Sequence, residues 1–274
     1  MTGPVAFHGE GPVWSERWGG LRWVDMLAGD VLSLGADGAV GRRHVGEIAA
    51  ALRPRGGGGA VIGVERGFAL EDADGTLTRL DDLWSDTGVR MNEGGCDPDG
   101  RFYCGSMAYD QAPGAASVYR LDPDLSVDVV LEEVTVSNGL DWSPDGSRAY
   151  YNDTDTLAIA VFAYDREAGL TARRVFADTS PNRPDGLTVD SDGGVWVALS
   201  NGGAVRRYTP DGVLDRVVEL PTTKVTACTF GGADLDQLFI TTSREGVDPD
   251  DGAAGSLFRA EVGARGMPVR EFAG

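Results

Sequence analysis

Nowhere along the 274 residues does an apolar stripe with helical period persist beyond about two turns. Short runs of β-branched, aromatic and aliphatic residues alternate instead with turns rich in Gly, Asp, Pro and Asn, the pattern of a chain built from strands. Six of these runs follow a turn in the same way: GGLRWVD at 19–25, GGAVIGV at 58–64, GRFYCGS at 100–106, GSRAYYND at 146–153, GGVWVAL at 193–199 and DQLFITT at 236–242. With Trp23, Ile62, Tyr103, Tyr150, Trp196 and Phe239 as anchors, the spacings are 39, 41, 47, 46 and 43 residues. A loop, a further strand-like run and a second turn follow each anchor run. Six copies of a β-repeat this long predict an all-β fold, a six-bladed β-propeller of four-stranded antiparallel blades forming one domain over residues 1–274. A parallel β-helix needs shorter rungs, and a β-sandwich does not repeat with this phase. The first residues are expected to complete a blade begun by the last ones.

Equivalent positions of propeller repeats lie at equivalent heights around the axis, and the innermost strand is expected just before each anchor run. Counting back 11 to 13 residues from the anchors reaches Glu10, Ala50 or Ala51, Asn92, Asn138, Asp185 and Thr226. Four of these six positions carry a carboxylate or an amide, so their oxygens are expected to converge at one mouth of the channel. Converging oxygens of that kind are what a hard divalent cation requires. The absence of a Cys or His cluster argues against a closed zinc-type structural site. The expected ligands are Glu10, Asn138 and Asp185, with Asn92 contributing directly or through water. Each residue taken alone reads equally as a turn residue, because Pro-Asp-Gly occurs four times, at 98–100, 144–146, 184–186 and 210–212. Phase separates the cases: Asp192 lies four residues before Trp196, as Asp99 does before Tyr103, whereas Asp185 lies eleven before it.

Charge narrows the partners. Asp and Glu number 43 against 24 Lys and Arg, a net charge of −19. Such a surface repels phosphate backbones and anionic headgroups, so a small-molecule substrate is expected, with no nucleic acid and no membrane. No apolar run reaches the roughly 18 residues of a membrane span, and MTGPVAFHGEGPVW has neither the basic segment nor the apolar stretch of a signal peptide. Cys96, Cys104 and Cys228 lack metal-ligand spacing and read as small buried hydrophobes of a reduced, cytoplasmic protein. A monomer or weak homo-oligomer is expected. With two histidines, His8 and His44, a serine–histidine mechanism has little support; His8 reads as a rim or packed residue. Ser106 is a possible pocket-lining residue, and Tyr109 and Asp110 are placed near the entrance.

Several segments together resemble the regucalcin/gluconolactonase family: GEGPVW, RMNEGG, SNGLDWSPDG, RPDGLTVDSDGGVWVALSNGG and TACTFGGADLDQLFITT. The resemblance runs from Glu10 to the TSREG segment at 242–246. It implies a six-bladed propeller with one catalytic divalent cation in the channel, held by Glu10, Asn138 and Asp185. It makes Asn92 a near-metal, substrate-contacting residue and Arg90 a substrate-binding residue. Family members of this kind are lactonases acting on sugar lactones, with calcium, zinc, manganese or iron in the site. Calcium is the first expectation here, and magnesium is a further candidate, since oxygen-rich sites accept several cations. Glu93 departs from the family's usual Asp at that position. The acid there is expected to contact substrate, and the added methylene brings another lactone or an ester into play. The Gly-rich RPRGGGGA at 53–60 is read as a short loop leaving the pocket open.

The expected reaction is lactone hydrolysis. The cation polarises the carbonyl and steadies the oxyanion, and Asp185 acts as general base on the attacking water, with hydroxide on the cation as the alternative nucleophile. Two other readings stay open: a metal-propeller enzyme with a different substrate (an esterase, a phosphotriesterase or a biosynthetic tailoring enzyme), and a non-catalytic calcium-binding propeller.

Overall fold

The computed structural model describes residues 2–274. Six antiparallel sheets stand in a ring as a six-bladed β-propeller, and among the described residues the only helical turns are 3-10 turns of three residues, at Glu16–Trp18, Met26–Ala28 and Thr154–Thr156. Numbering the blades along the chain, their inner strands are Gly9–Ser15, Ala49–Pro54, Val89–Cys96, Ser137–Trp142, Pro184–Val189 and Val225–Gly231. The second strands are Gly20–Asp25, Ala60–Val64, Phe102–Ala108, Arg148–Asp153, Val195–Leu199 and Gln237–Thr242, each carrying one of the six anchors. The inner strand precedes its anchor strand in every blade, as the repeat phase requires.

Five sheets have four strands. The sixth has three, Val225–Gly231, Gln237–Thr242 and Leu257–Glu261, and the beginning of the chain closes it. Pro4 bridges Ser256, and the Thr2 N–H donates to the Leu257 carbonyl at 3.1 Å. The expected completion of a blade by the first residues is therefore present, though Pro4 makes a single bridge rather than a full strand; its missing N–H suits an edge and not a ladder. At the other end of the chain, residues 265–274 cross the face opposite the inner-strand starts. Arg265 accepts from Ser191 N–H (2.8 Å), Phe272 donates to Pro54 (2.8 Å) and Ala273 to Gly100 (2.9 Å).

The core lies between blades. All six anchors are buried, and three of them meet an aromatic ring of a neighbouring inner strand: Tyr103 edge-to-face with Trp142 (5.3 Å between ring centroids), Trp196 edge-to-face with Phe230 (5.6 Å) and, across the ring closure, Phe239 stacked on Trp14 (5.7 Å). Burying one such side chain stabilises by roughly 1.5–3 kcal/mol, with a further about 0.5–1.5 kcal/mol from ring-on-ring geometry.

One irregularity recurs in all six blades and places the site. The pairing of inner with second strand slips between Glu10 and Val13, Ala49 and Ala51, Met91 and Gly94, Ser137 and Leu140, Pro184 and Leu187, and Val225 and Ala227. A bulge frees a residue from the ladder and re-aims its side chain. Here it does so at the height of Glu10, Asn92, Asn138 and Asp185. The glycine after two of these has a matching reason. A Cβ on Gly139 would lie 2.4 Å from the Leu187 nitrogen, and one on Gly186 would lie 2.4 Å from the Ala227 Cβ. Inner strands of adjacent blades approach too closely there for any side chain. Asn-Gly and Asp-Gly, read alone as turn dipeptides, are bulge dipeptides in these strands.

The turn containing RPRGGGGA joins the far end of the second inner strand to its neighbour and meets the C-terminal segment, with Gly56 N–H donating to Phe272 at 2.9 Å. It lies on the face opposite the bulges. The expectation that it lies at the pocket's mouth and leaves it open is corrected: an inner strand starting at Ala49 on one face has reached the other by Pro54.

Candidate functional site

A cleft of about 510 Å³ opens above the bulges, lined among others by His8, Glu10, Arg90, Asn92, Asn138 and Asp185. These six residues come from the inner strands, or the approaches to them, of blades 1, 3, 4 and 5. All are buried at 4–6% exposure.

The hydrogen bonds fix how each side chain is turned. The Thr154 hydroxyl donates to the Pro184 carbonyl (2.9 Å), so its lone pair is left to accept from the Asn138 amide nitrogen (3.1 Å). That settles the amide orientation and leaves Asn138 Oδ1 with no donor. Glu10 Oε2 and Asp185 Oδ1 are likewise buried without a partner. Unpaired buried oxygens are costly, and three of them line one cleft. Two carboxylates and an amide form an acceptor-only set suited in chemistry to a hard cation. Among the described residues no three His, Cys, Asp or Glu side chains group as a metal cluster, so the set depends on its amide.

Burial pushes the Asp185 carboxyl up to about 7, and the charge of Glu93 adds to the rise. Glu10 is raised well above the usual carboxylate range, first by burial and then by the charges of Asp185 and Glu93. Burial and mutual repulsion of this kind favour the neutral carboxyls, and a bound cation would oppose both. His8 is pulled down to about 3 by burial, so its imidazole is neutral. Its Nδ1 lies 2.6 Å from Ser243 Oγ and its Nε2 lies 3.6 Å from Glu10 Oε1, a polar contact and not an ion pair.

Asn92 has both ends of its amide engaged: Oδ1 accepts from Arg90 Nη1 at 2.7 Å, and Nδ2 donates to the Ser137 carbonyl at 2.7 Å. Arg90 Nη1 also meets the Met91 carbonyl (2.9 Å) and Met26 Sδ (3.0 Å), while its buried Nε has no partner. Its guanidinium lies 5.7 Å from the Tyr109 ring and has no carboxylate within ion-pair distance among the described residues.

Glu93 departs from expectation. Its Oε1 accepts from Gly94 N–H at 3.0 Å, and its carboxylate lines a second, narrow cavity of about 70 Å³ with Arg53, Asp141 and Arg270, on the far side of the bulge. Asn92 and Glu93 leave the strand on opposite sides, as consecutive strand residues do, so the expected substrate contact of Glu93 in the cleft is corrected. Ser106 is also absent from the cleft, since its hydroxyl pairs with the backbone of Ser117 (3.1 and 3.0 Å). Tyr109 lines the cleft and Asp110 does not. Cys96, Cys104 and Cys228 are free and buried, with burial pushing each thiol up.

The repeat phase missed the rim. Lys224 pairs with Glu245 (2.7 Å), and Arg183 pairs with Asp155 (2.7 Å) and Gln111 (3.0 Å). Lys224 and Arg183 sit two residues before Thr226 and Asp185, so the same count extended two places back would have found them.

The chain is similar to known proteins over nearly its whole length. A model of the SMP-30/gluconolactonase/LRE-like region matches residues 8–244. Regucalcin of Oryctolagus cuniculus is 34% identical, covering 97% of this chain and 95% of that protein. The pentonolactonase XacC of Haloferax volcanii is 36% identical, covering 95% and 92%. A solved structure described as a calcium-binding protein, regucalcin, from Agrobacterium tumefaciens superposes with a TM-score of 0.91 at 28% identity, covering 97% and 94%. Fold, bulge-borne side chains and sequence agree, and the chain belongs to the SMP-30/gluconolactonase/LRE-like family.

Proposed function

We propose that this protein is a divalent-metal-dependent lactone hydrolase in which Glu10, Asn138 and Asp185 hold the cation. The observation that carries the reading is the set of three buried acceptor oxygens without donors, on Glu10, Asn138 and Asp185, lining one cleft. The naming of a relative as a pentonolactonase supports the substrate class. When bound, the cation supplies Lewis acidity toward the lactone carbonyl and its developing oxyanion.

The chain's own residues do the rest. Asp185, which would help to hold the cation, takes the proton of the attacking water. Its carboxylate is buried beside the cleft and has an oxygen with no hydrogen-bond donor, the place a water proton can go. Water oxygen bonds to the carbonyl carbon, the ring C–O bond breaks, and the proton passes to the leaving alkoxide, giving a hydroxy acid. Arg90 and Asn92 orient the substrate: the guanidinium has donor capacity left at Nε, and the amide braces it from below. Calcium is the first cation to try, followed by zinc, manganese, iron and magnesium. The remaining parts of the reading are a small-molecule substrate, no nucleic-acid or membrane partner, a cytoplasmic setting and a monomer or weak homo-oligomer.

A second reading, calcium binding without turnover, is favoured by the regucalcin relatives and by the solved structure described as calcium-binding. One experiment separates the two. Chelated protein is resupplied with each cation and assayed by pH drop on a panel of sugar and aliphatic lactones. Turnover that returns with a cation and differs among lactones is expected. Flat rates across the panel with every cation would sink the hydrolase and leave the binding protein.

A further inference from the structure

The blades that carry Glu10 and Asn138 share a device that blades 2, 3 and 6 lack. Asp25 ends the second strand of blade 1, and its carboxylate accepts the backbone N–H of Phe7 (3.0 and 3.1 Å) and of His8 (2.9 Å), three and two residues before Glu10. Asp153 ends the second strand of blade 4 and accepts from Thr135 (3.1 Å) and Val136 (3.0 Å), three and two residues before Asn138. The backbone reciprocates in both: Met26 N–H donates to the His8 carbonyl (2.9 Å) and Thr154 N–H to the Val136 carbonyl (3.0 Å). Blade 5 has a lighter version. Asn201 Oδ1 accepts from Arg183 N–H (2.7 Å), two residues before Asp185, and Ser200 N–H donates to the Arg183 carbonyl (3.0 Å).

Blade 6 is the internal control. It keeps the backbone half, Ser243 N–H to the Lys224 carbonyl at 3.1 Å, with no side-chain acceptor on Thr223 or Lys224 N–H, and at the ligand position it carries Thr226. Among the described residues, no side chain accepts from the corresponding N–H groups of blades 2 and 3 either. The brace therefore follows the ligands and not the fold. Both aspartates are buried, at 2% and 7% exposure, where a carboxylate accepting two N–H bonds is a strong, charge-assisted clamp. A ligand must be held within about 0.5 Å of its productive place, and two residues of chain separate clamp from ligand.

We propose that Asp25 and Asp153 are positioning residues of the cation site, each aiming one ligand, Glu10 or Asn138, by fixing the backbone that leads into its inner strand. This rests on the reading of Glu10, Asn138 and Asp185 as ligands.

The test is calorimetric titration of the chelated full-length protein with manganese and with calcium. The proteins compared are wild type, Asp25→Ala, Asp153→Ala, the matching Asn variants and Asp190→Ala. Asp190 is the structural control: it is as buried, and it accepts from Gly194 N–H (2.7 Å), Trp196 Nε1 (2.9 Å) and Arg207 Nε (2.6 Å), but at a turn on the opposite face. The Ala variants are expected to weaken cation binding about tenfold or more, the scale of outer-shell substitutions, with the Asn variants intermediate because one acceptor oxygen remains. Asp190→Ala should lower the urea midpoint and leave cation affinity unchanged. Where an Ala variant does not fold, its Asn counterpart decides, and wild-type affinity in it overturns the proposal. So does an equal loss of affinity in Asp190→Ala. In those cases the cation site stands; if wild type takes up neither cation, the site fails and the proposal fails with it.

Discussion

Two Pro-Asp-Gly tripeptides, at 144–146 and 184–186, differ in everything except their letters. Asp145 is exposed and accepts from Ser143 Oγ (2.6 Å), Ser147 N–H (3.0 Å) and Ser147 Oγ (2.9 Å), with the Ser143 bond leading the fall of its pKa to about 2. Asp185 is buried in a bulge, has an unpaired oxygen, and is pushed up to about 7. The glycines differ too. Gly146 has φ +74, the left-handed turn conformation, while Gly186 has no such φ and is required by the 2.4 Å approach to Ala227. One tripeptide solves a local problem of chain reversal, and the other solves a problem of packing between blades. A carboxylate left over from the second is available for chemistry.

The sharpest way to break the comparison is to neutralise both aspartates. Asp185→Asn should reduce lactone turnover by about 10²–10⁴-fold, the range for loss of a general base, while Asp145→Asn changes it less than about twofold. Comparable losses in initial-rate assays would mean that the two residues are both structural. The glycines give the next largest effect. Gly186→Ala overpacks two inner strands and should cost about 1–3 kcal/mol in urea unfolding, together with cation affinity, because the strand carrying Asp185 must shift. Gly146→Ala should cost about 1 kcal/mol from the left-handed φ and leave cation affinity alone.

The two carboxyls should also pull stability in opposite directions with pH. A carboxyl whose folded pKa lies above its unfolded value of about 3.9 contributes stability that is complete below that value and is lost as pH rises through the folded one. For Asp185 the loss runs from about pH 4 to about 7, and Glu10 adds to it in the same sense. Asp145 behaves inversely: its contribution is present above about 3.9 and lost as pH falls through about 2. The urea midpoint of chelated protein should therefore fall between pH 5 and 8, less so in Asp185→Asn, and an added cation should restore more at pH 8 than at pH 5. A midpoint that rises over that interval in chelated wild type, with Asp185→Asn unchanged, would remove the buried carboxyl from the account.

The same contrast explains what the sequence disclosed. The propeller was legible because each anchor must be large and apolar to fill the wedge between blades, and Trp23, Tyr150 and Trp196 announce that at a steady spacing. Glu10, Asn138 and Asp185 were legible by phase, since the bulge recurs at one height in every blade. Asp25 and Asp153 were not: an aspartate ending a strand looks like any turn aspartate until its acceptor bonds to Phe7, His8, Thr135 and Val136 are seen. The rim pairs Lys224–Glu245 and Arg183–Asp155 join residues 21 and 28 positions apart; the first meet across the hairpin of blade 6 and the second across neighbouring blades 4 and 5, contacts that strand pairing and blade packing create. RPRGGGGA was assigned to the wrong face because composition identifies a turn without saying at which end of a strand it falls.

Glu93 is the third carboxylate of this neighbourhood and sharpens the comparison most finely, because it is buried like Asp185 yet faces away from the cleft. A residue that contacts a substrate hydroxyl through a charge is worth about 1.5–3 kcal/mol, which is roughly a tenfold or greater rise in KM on removal. A residue in the lower cavity acts on the site only through its charge, by repelling Asp185 and Glu10. Glu93→Gln should then leave KM within about twofold, while the pH at which chelated protein begins to lose stability stays near the unfolded carboxyl value of about 3.9. Removing that repulsion makes Asp185 easier to ionise, so the alkaline end of the Asp185 titration moves down by the same cause and the stability lost between pH 5 and 8 shrinks; the net readout is a shallower slope. A steep rise in KM with an unchanged slope would put Glu93 back in contact with substrate, and with it the view that one added methylene at this position selects the lactone.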